Sequence, residues 1–180
     1  MRINNPQETR EKLLQAAALV IAARGANNLT LENVAAAAKV SKGGLLHHFP
    51  NKEALLGGLM QQLISVFEDC ITRELQNEPD TAGRWLRAYI RATFSPSPEE
   101  QALTTALASL ISSQPNLLST LKTSFEFAER SILADGLGPA RATAIRLACD
   151  GLWFSELSGM IQLQTAERQA LLEELLELAQ

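Results

Sequence analysis

A lysine, two glycines and two histidines follow one another closely in the first third of the chain. Lys42 supplies a positive charge that can reach a phosphate or the edge of a base. Gly43 and Gly44 have no side chain, so another backbone can approach them closely. His47 and His48 are a poor metal-binding pair, because adjacent helical residues point ~100° apart and no Cys or acidic partner is near in sequence. These residues could therefore contact the phosphates or bases of a nucleic acid, and no metal site is predicted.

The elements that position these residues are predicted to be helices. No segment alternates with the period of two that is typical of a strand, whereas alanine and leucine dominate at helical spacing. We expect an all-α fold of about nine helices, with N-caps at Asn5, Thr30, Ser41, Asn51 and Thr165. The predicted helices cover residues 6–24, 31–38, 42–48, 52–76, 81–94, 99–113, 116–134, 140–163 and 166–179.

The second and third of these helices are short, are joined by a tight turn and follow a longer helix, which is the pattern of a helix-turn-helix. The third helix is the one expected to enter the major groove of DNA, since a groove ~12 Å wide admits one helix. Leu45 and Phe49 should anchor it to its neighbours, with His47 facing outward and His48 partly inward. The alternative is that the two short helices only form a compact corner of a bundle.

Three segments resemble the tetracycline-repressor (TetR) family of transcriptional regulators. Ser41–Leu56 resembles the recognition-helix signature of that family, Leu29–Ala35 resembles its first helix-turn-helix helix, and Arg10–Gly25 resembles its opening helix. Together they cover about residues 9 to 60. Beyond them, only the helical architecture is similar.

This resemblance implies a helix-turn-helix DNA-binding domain over residues 1–52 and a helical effector-binding and dimerisation domain over residues 53–180. The expected function is that of a cytoplasmic, ligand-responsive regulator, a dimeric repressor that a small, mainly apolar effector releases from its operator. A regulator that activates on ligand binding, and a helical adaptor that binds protein but not DNA, are the alternatives. No enzyme motif, cofactor site, secretory signal or membrane span is predicted.

The residues that the resemblance places against double-stranded operator DNA are Thr30, Lys42, Gly43, Gly44, His47 and Lys52. Thr30 and Lys52 are expected to meet phosphates, and Lys42 to reach base edges or phosphates. Two positions depart from the family pattern. Leu46 stands where a tyrosine usually binds a phosphate, and Lys39 stands where a glycine usually forms the turn. If the backbone is left-handed at Lys39, a lysine there costs about 1 kcal/mol.

The resemblance also implies that the second domain holds its ligand among the middle helices. The candidate ligand-binding residues are Phe67, Trp85, Tyr89, Phe125, Trp153 and Glu156. Most of the aromatic candidates could equally be residues of the hydrophobic core that contact no ligand. Glu156 would suit a lipophilic cation, or it is a glutamate at the surface or at the rim of a dimer. Gly57 and Gly58, in the long fourth helix, are either a hinge or a place of close helix packing.

A homodimer is expected, because one recognition helix of about two turns makes too few contacts to specify a genomic site. The resemblance implies that the last two helices form the interface. The final helix also has more apolar surface than one protomer needs. Its leucines are Leu171, Leu172, Leu175, Leu176 and Leu178.

The net charge of −4 over 180 residues argues, taken whole, against a nucleic-acid partner. The charge is unevenly distributed, however. Residues 1–56 carry seven basic and four acidic side chains, a net +3, and the remaining residues carry −7. Phosphate therefore attracts the N-terminal segment and repels the rest, which predicts the end of the molecule that meets DNA.

Overall fold

The computed structural model describes residues 5–25, 28–96, 98, 101, 103–104 and 118–180. Within these ranges all regular structure is helical, which confirms the predicted fold class. The eight helices found there are α1 (Pro6–Arg24), α2 (Leu31–Ala38), α3 (Lys42–His48), α4 (Lys52–Leu75), α5 (Arg84–Phe94), α6 (Leu118–Leu133), α7 (Pro139–Leu157) and α8 (Thr165–Leu178). The additional helix predicted over 99–113 falls almost entirely outside the described residues.

The described residues within Met1–Leu63 and Gln101–Leu121 form the first of two compact units. Helices α1, α2 and α3 lie in it, together with the first half of α4. Aliphatic side chains from each of these helices are withdrawn from solvent and form its core. Leu29, just before α2, is fully buried with them, and the largest fully buried side chains of the helices are Leu13, Leu14, Leu45, Leu55, Leu56, Leu59 and Met60.

Four N-caps in this unit are confirmed. Each cap side chain accepts a hydrogen bond from a backbone N–H two or three residues later, which satisfies a donor that the helix itself leaves free. The accepting atoms are Oδ1 of Asn5, Oγ1 of Thr30, Oγ of Ser41 and Oδ1 of Asn51, at 3.1, 3.1, 3.1 and 2.8 Å.

The two glycines of α4 differ in their surroundings. A Cβ atom added to Gly58 would lie 2.8 Å from Cε1 of Phe49 and 3.1 Å from Cδ2 of Leu14. A Cβ atom added to Gly57 would meet no heavy atom within 4 Å. Close packing therefore accounts for Gly58, and it does not account for Gly57.

The described residues within Ile64–Glu100 and Lys122–Gln180 form the second unit. Helix α4 contributes residues to both units, because the division falls after Leu63. Helices α5, α7 and α8 pack against one another in the second unit. Their core includes Leu86, Ile90, Ile145, Cys149 and Leu175.

Arg87 is a buried cation that joins three segments of the second unit. Its Nε donates to Oε2 of Glu78 at 2.7 Å, and its Nη1 donates to the carbonyls of Ala82 and Ala179. Nε of Arg91 donates to the other oxygen of Glu78 at 2.6 Å. Although burial acts to raise the pKa of Glu78, the two arginines hold it below its usual value. The end of α8 is thereby fixed to the loop that precedes α5.

The predicted end of α7 was wrong, and the predicted starts of α5 and α8 are displaced by three residues and one residue. Helix α5 begins at Arg84 and not at residue 81, since Gly83 before it adopts a φ of 81°. Helix α7 ends at Leu157 and not at residue 163, because Gly159 leaves helical geometry with a φ of 70°. The first residue outside α8 is Gln164, whose N–H donates to the carboxylate of Glu167 at 2.9 Å. Thr165 therefore lies within α8 and is not its cap.

Helix α4 is the one described helix that is long and apolar enough to cross a membrane. Half of its most apolar window is buried inside the protein. This is the pattern expected of a core helix, and length and composition alone are weak evidence for a span.

We expect Gly83→Ala to lower the free energy of unfolding by roughly 2 kcal/mol. Its φ of 81° disfavours any side chain, and the new Cβ would lie 2.3 Å from the carbonyl oxygen of Ala179. Urea denaturation measures the effect. Gly138→Ala is the matched control, because Gly138 has a φ of −58° and open space around its Cβ position. Equal unfolding midpoints for the two variants would contradict the prediction.

Candidate nucleic-acid interface

The burial pattern of α3 gives this helix one face toward the core and one toward solvent. Leu45 is completely buried, as is Phe49 directly after the helix, so both predicted anchors are confirmed. The exposed residues Lys42, Gly43, Leu46 and His47 lie together on the opposite side, which we term the outward face. His48 is half-buried, and its ring stands edge-on to that of His47, with the centroids 5.4 Å apart.

Gly43 and Gly44 serve different purposes, although they are adjacent. A Cβ atom at Gly43 would meet nothing within 4 Å, so the outward face is open there. A Cβ atom at Gly44 would lie 2.9 Å from Cγ1 of Val40 and 3.2 Å from Oγ of Ser41. Gly44 is therefore needed for the close fit of α3 on the preceding turn, and Gly43 leaves room for an approaching molecule.

The turn between α2 and α3 is left-handed at Lys39, with φ 55° and ψ 39°. The backbone N–H of Lys39 donates to the carbonyl of Ala36 at 3.2 Å, and that of Val40 donates to the carbonyl of Ala35 at 2.9 Å. Lys39 is the one residue other than glycine with a positive φ in the described ranges. A residue with a Cβ thus occupies a conformation that glycine adopts without cost.

Lys42 is paired with an acidic residue that the sequence analysis missed. Its Nζ lies 2.6 Å from Oε1 of Glu32, and more than half of each side chain is exposed. The hydrogen bond from Lys42 lowers the pKa of Glu32 below its usual value. The two residues are ten positions apart and on different helices, so the pair could not be predicted from a local sequence pattern.

The two predicted phosphate-binding residues outside α3 lie at the starts of helices. Thr30 is exposed, and its Oγ1 accepts a hydrogen bond from the N–H of Asn33. A hydroxyl that accepts one hydrogen bond can still donate its own hydrogen to a phosphate oxygen. Lys52 is the first residue of α4 and is half-buried.

Among the predicted ligand-binding residues, the structure brings Phe67, Trp85 and Tyr89 together. The ring of Tyr89 stands edge-on to that of Phe67 at 5.4 Å and stacks on that of Trp85 at 5.7 Å. Trp85 also contacts the exposed ring of Phe127 at 6.4 Å. Phe125 is half-buried and takes no part in the ring contacts found among the described residues.

A polar cluster that sequence reasoning missed adjoins these rings. The hydroxyl of Tyr89 donates to Oδ1 of Asp150 at 2.5 Å, and Nη1 of Arg146 donates to Oδ2 of Asp150 at 3.0 Å. Burial raises the pKa of Asp150 and, with the carboxylate beside it, raises that of Tyr89. Burial likewise raises the pKa of the Cys149 thiol to about 12. Tyr89 and Cys149 are buried, whereas Arg146 and Asp150 are half-buried.

The other two ligand-binding candidates, Glu156 and Trp153, take no part in the ring contacts within the described part of the chain. Glu156 is half-buried and forms an ion pair with Arg168, whose guanidinium also lies over the ring of Phe94. A cationic ligand would have to displace this arginine from the carboxylate. Trp153 is half-buried.

A cleft of about 640 Å³ in the second unit has Trp85 in its lining, beside Arg84 and Asp135.

The chain matches two known families of protein domains. The first, of bacterial regulatory proteins of the tetR family, matches residues 13–59. The second, of the tetracyclin repressor-like C-terminal domain, matches residues 83–180. The second match alone covers more than half of the chain.

Individual proteins are similar over different lengths. The nucleoid occlusion factor SlmA of Photobacterium profundum is 29% identical over 132 residues, which are 72% of this chain and 67% of that protein. The HTH-type transcriptional repressor DhaR of a Mycobacterium species is 30% identical over 83 residues, which are 46% of this chain and 42% of DhaR. The aligned segment thus spans less than half of DhaR.

One solved structure shows that the fold is shared over nearly the whole chain. The fatty acid degradation regulator FadR from Bacillus halodurans aligns with a TM-score of 0.71 at 20% identity. The alignment covers 95% of this chain and 94% of that chain.

We expect Lys39→Gly to raise the free energy of unfolding by roughly 1 kcal/mol, because glycine removes the left-handed strain at this turn. Lys39→Ala is the control, since it removes the charge but keeps the strained Cβ, and it should not stabilise the chain. Thermal and urea unfolding measure both. If the two variants are equally stable, the charge and not the backbone accounts for the effect of residue 39.

Proposed function

Because the chain belongs to the tetR family of bacterial regulatory proteins, we propose that it is a dimeric repressor that a small, mainly apolar effector releases from its operator DNA. The observation that carries this proposal is the outward face of α3, which is open at Gly43 and flanked by Lys42 and His47. Regulators of this family are DNA-binding proteins that work in the cytoplasm, beside the DNA, and they act by occupying DNA rather than by catalysis.

The outward face supplies the side chains for base recognition. Lys42 is long enough to reach a guanine edge or a phosphate, and the imidazole of His47 can donate or accept a hydrogen bond. The missing side chain at Gly43 lets the helix backbone come close to the groove. Thr30 and Lys52, at the starts of α2 and α4, are proposed to bind phosphates and so to fix the position of α3.

Lys42 has to change partner when DNA binds. In the free protein its ammonium pairs with Glu32 at 2.6 Å. The pair is exposed, so water and salt weaken it and exchange is easy. A phosphate or a guanine offers Lys42 an alternative acceptor only when α3 lies in the groove.

Dimerisation is proposed to cover apolar side chains of the last two helices and of the segment between them. Several large ones are exposed in the single chain, where their contact with water is unfavourable. They are Leu147, Phe154, Met160, Ile161 and Leu178. A twofold pair of recognition helices would then read two half-sites about one turn of DNA apart.

The effector is proposed to bind at the aromatic rings of Phe67, Trp85 and Tyr89, with Phe125, Trp153 and Glu156 as further candidates for its site. Aromatic side chains bind an apolar molecule well, and Asp150 beside Tyr89 would orient a polar group on it. Phe67 belongs to α4, the helix that contributes to both units. Binding there would favour a dimer geometry that does not fit the operator.

Lys42→Ala and Lys52→Ala test the DNA contacts. We expect Lys42→Ala to weaken binding and relax base preference, since it removes a contact to a base edge. Lys52→Ala should weaken binding to all sequences alike and reduce the slope of log K against log salt concentration by roughly one unit. Fluorescence anisotropy with duplexes from the region upstream of the chain's own coding sequence, measured at several salt concentrations, distinguishes the two effects.

Lys122→Ala is the control for charge, because Lys122 is exposed and belongs to the second unit. It should bind as the unaltered protein does. Binding that is weak, insensitive to salt and unchanged in both test variants would refute the proposed DNA contacts.

Phe154→Glu should convert the dimer to a monomer and lower operator affinity at least tenfold, since a charge in a dimer core is left without a partner. Sedimentation velocity measures the oligomeric state. Leu133→Glu is the matched control, because Leu133 is similarly exposed but lies on α6. A Phe154→Glu protein that sediments as a dimer would place the interface elsewhere.

A further inference from the structure

Leu46 is an apolar side chain on the polar outward face of α3. It is 37% exposed, whereas Leu45 beside it on the chain is fully buried. Lys42 and His47 share its face, and Gly43 lies one helical turn before it with open space around its Cβ position. A molecule that approaches α3 over Gly43 therefore meets Leu46.

The chemistry of leucine limits what this residue can bind. An isobutyl group neither donates nor accepts a hydrogen bond, so Leu46 cannot bind a phosphate or a polar base edge. Its favourable partner is another apolar group, from which both sides exclude water. In the major groove, the base-specific apolar group is the C5-methyl of thymine.

We propose that Leu46 is a specificity residue that packs against the C5-methyl group of a thymine in each half of the operator. This inference rests on the proposed function, because it requires α3 to lie in the major groove. It assigns to Leu46 a role in base selection, while Lys42 and His47 supply the polar contacts of the same face.

The experiment removes single methyl groups from the DNA. The full-length protein first selects its preferred duplex from a random pool. Each thymine of the selected site is then replaced by uracil, in both half-sites at once, because uracil pairs with adenine in the same way but has no methyl group. We expect one pair of positions at which the replacement weakens binding about fourfold per half-site, the contribution of one buried methyl group.

Leu46→Ala should bind the thymine and uracil forms at that pair of positions equally well, and its affinity should match that of the unaltered protein for the uracil form. Leu19→Ala is the matched control. Leu19 is a leucine of α1 with 69% exposure, and its removal should leave the uracil effect intact. Circular dichroism checks that both variants fold, and the uracil scan with unaltered protein needs no variant.

The outcomes separate this inference from the proposed function. Selective, salt-dependent binding that no uracil replacement weakens, or a selected site without thymine, would overturn the role of Leu46 and leave the DNA-binding proposal standing. A uracil effect that persists in Leu46→Ala would do the same. If no duplex is enriched, the proposed function fails and the inference fails with it.

Discussion

The left-handed turn at Lys39 is the constraint on which the candidate interface depends. The backbone N–H groups of Lys39 and Val40 donate to carbonyls at the end of α2 and so fix the turn just before α3 begins. Ser41 then caps α3, and Gly44 fits against Val40. Because consecutive helical residues point ~100° apart, a slip of one residue would turn Leu45 toward solvent and one of the outward residues toward the core. The turn geometry therefore decides which side chains face outward.

Local chemistry explains which parts of the fold could be predicted from the sequence. The caps at Asn5, Thr30, Ser41 and Asn51 depend on a side chain and a backbone N–H within three residues, so residue type and position were enough. The end of α7 was mispredicted, because the predicted range 140–163 placed Gly159 inside the helix. The positive φ of Gly159 belongs to a local C-terminal cap, in which the N–H of Gly159 donates to the carbonyl of Glu156 at 3.1 Å and that of Met160 donates to the carbonyl of Ser155 at 2.9 Å. The glycine itself was therefore a local signal for the end of the helix that the sequence analysis did not use.

The residues of the candidate sites could be predicted from the sequence, but their interaction partners could not. Residue types identified Lys42, Tyr89 and Glu156 as candidates for binding. Their partners come from other helices: Glu32 for Lys42, Asp150 for Tyr89 and Arg168 for Glu156. These pairs are between ten and 61 positions apart in the chain, so they arise only from packing. Each changes the chemistry, since a lysine or glutamate already paired is a different ligand from a free one.

The pair between Glu32 and Lys42 has a consequence for the affinity of the outward face for DNA. In the free protein the carboxylate takes the place of the phosphate that Lys42 is proposed to bind, so it would act as an internal competitor for the ammonium. An arbitrary duplex that offers Lys42 only a phosphate replaces one oxyanion by another, at little net gain, and brings Glu32 near a like charge. A duplex that also offers Lys42 acceptors on a base adds hydrogen bonds that offset the loss of the pair with Glu32. Because the cost of breaking the pair is the same for both duplexes, the acid would lower the affinity for DNA of any sequence and leave the choice of sequence to the base contacts of the outward face.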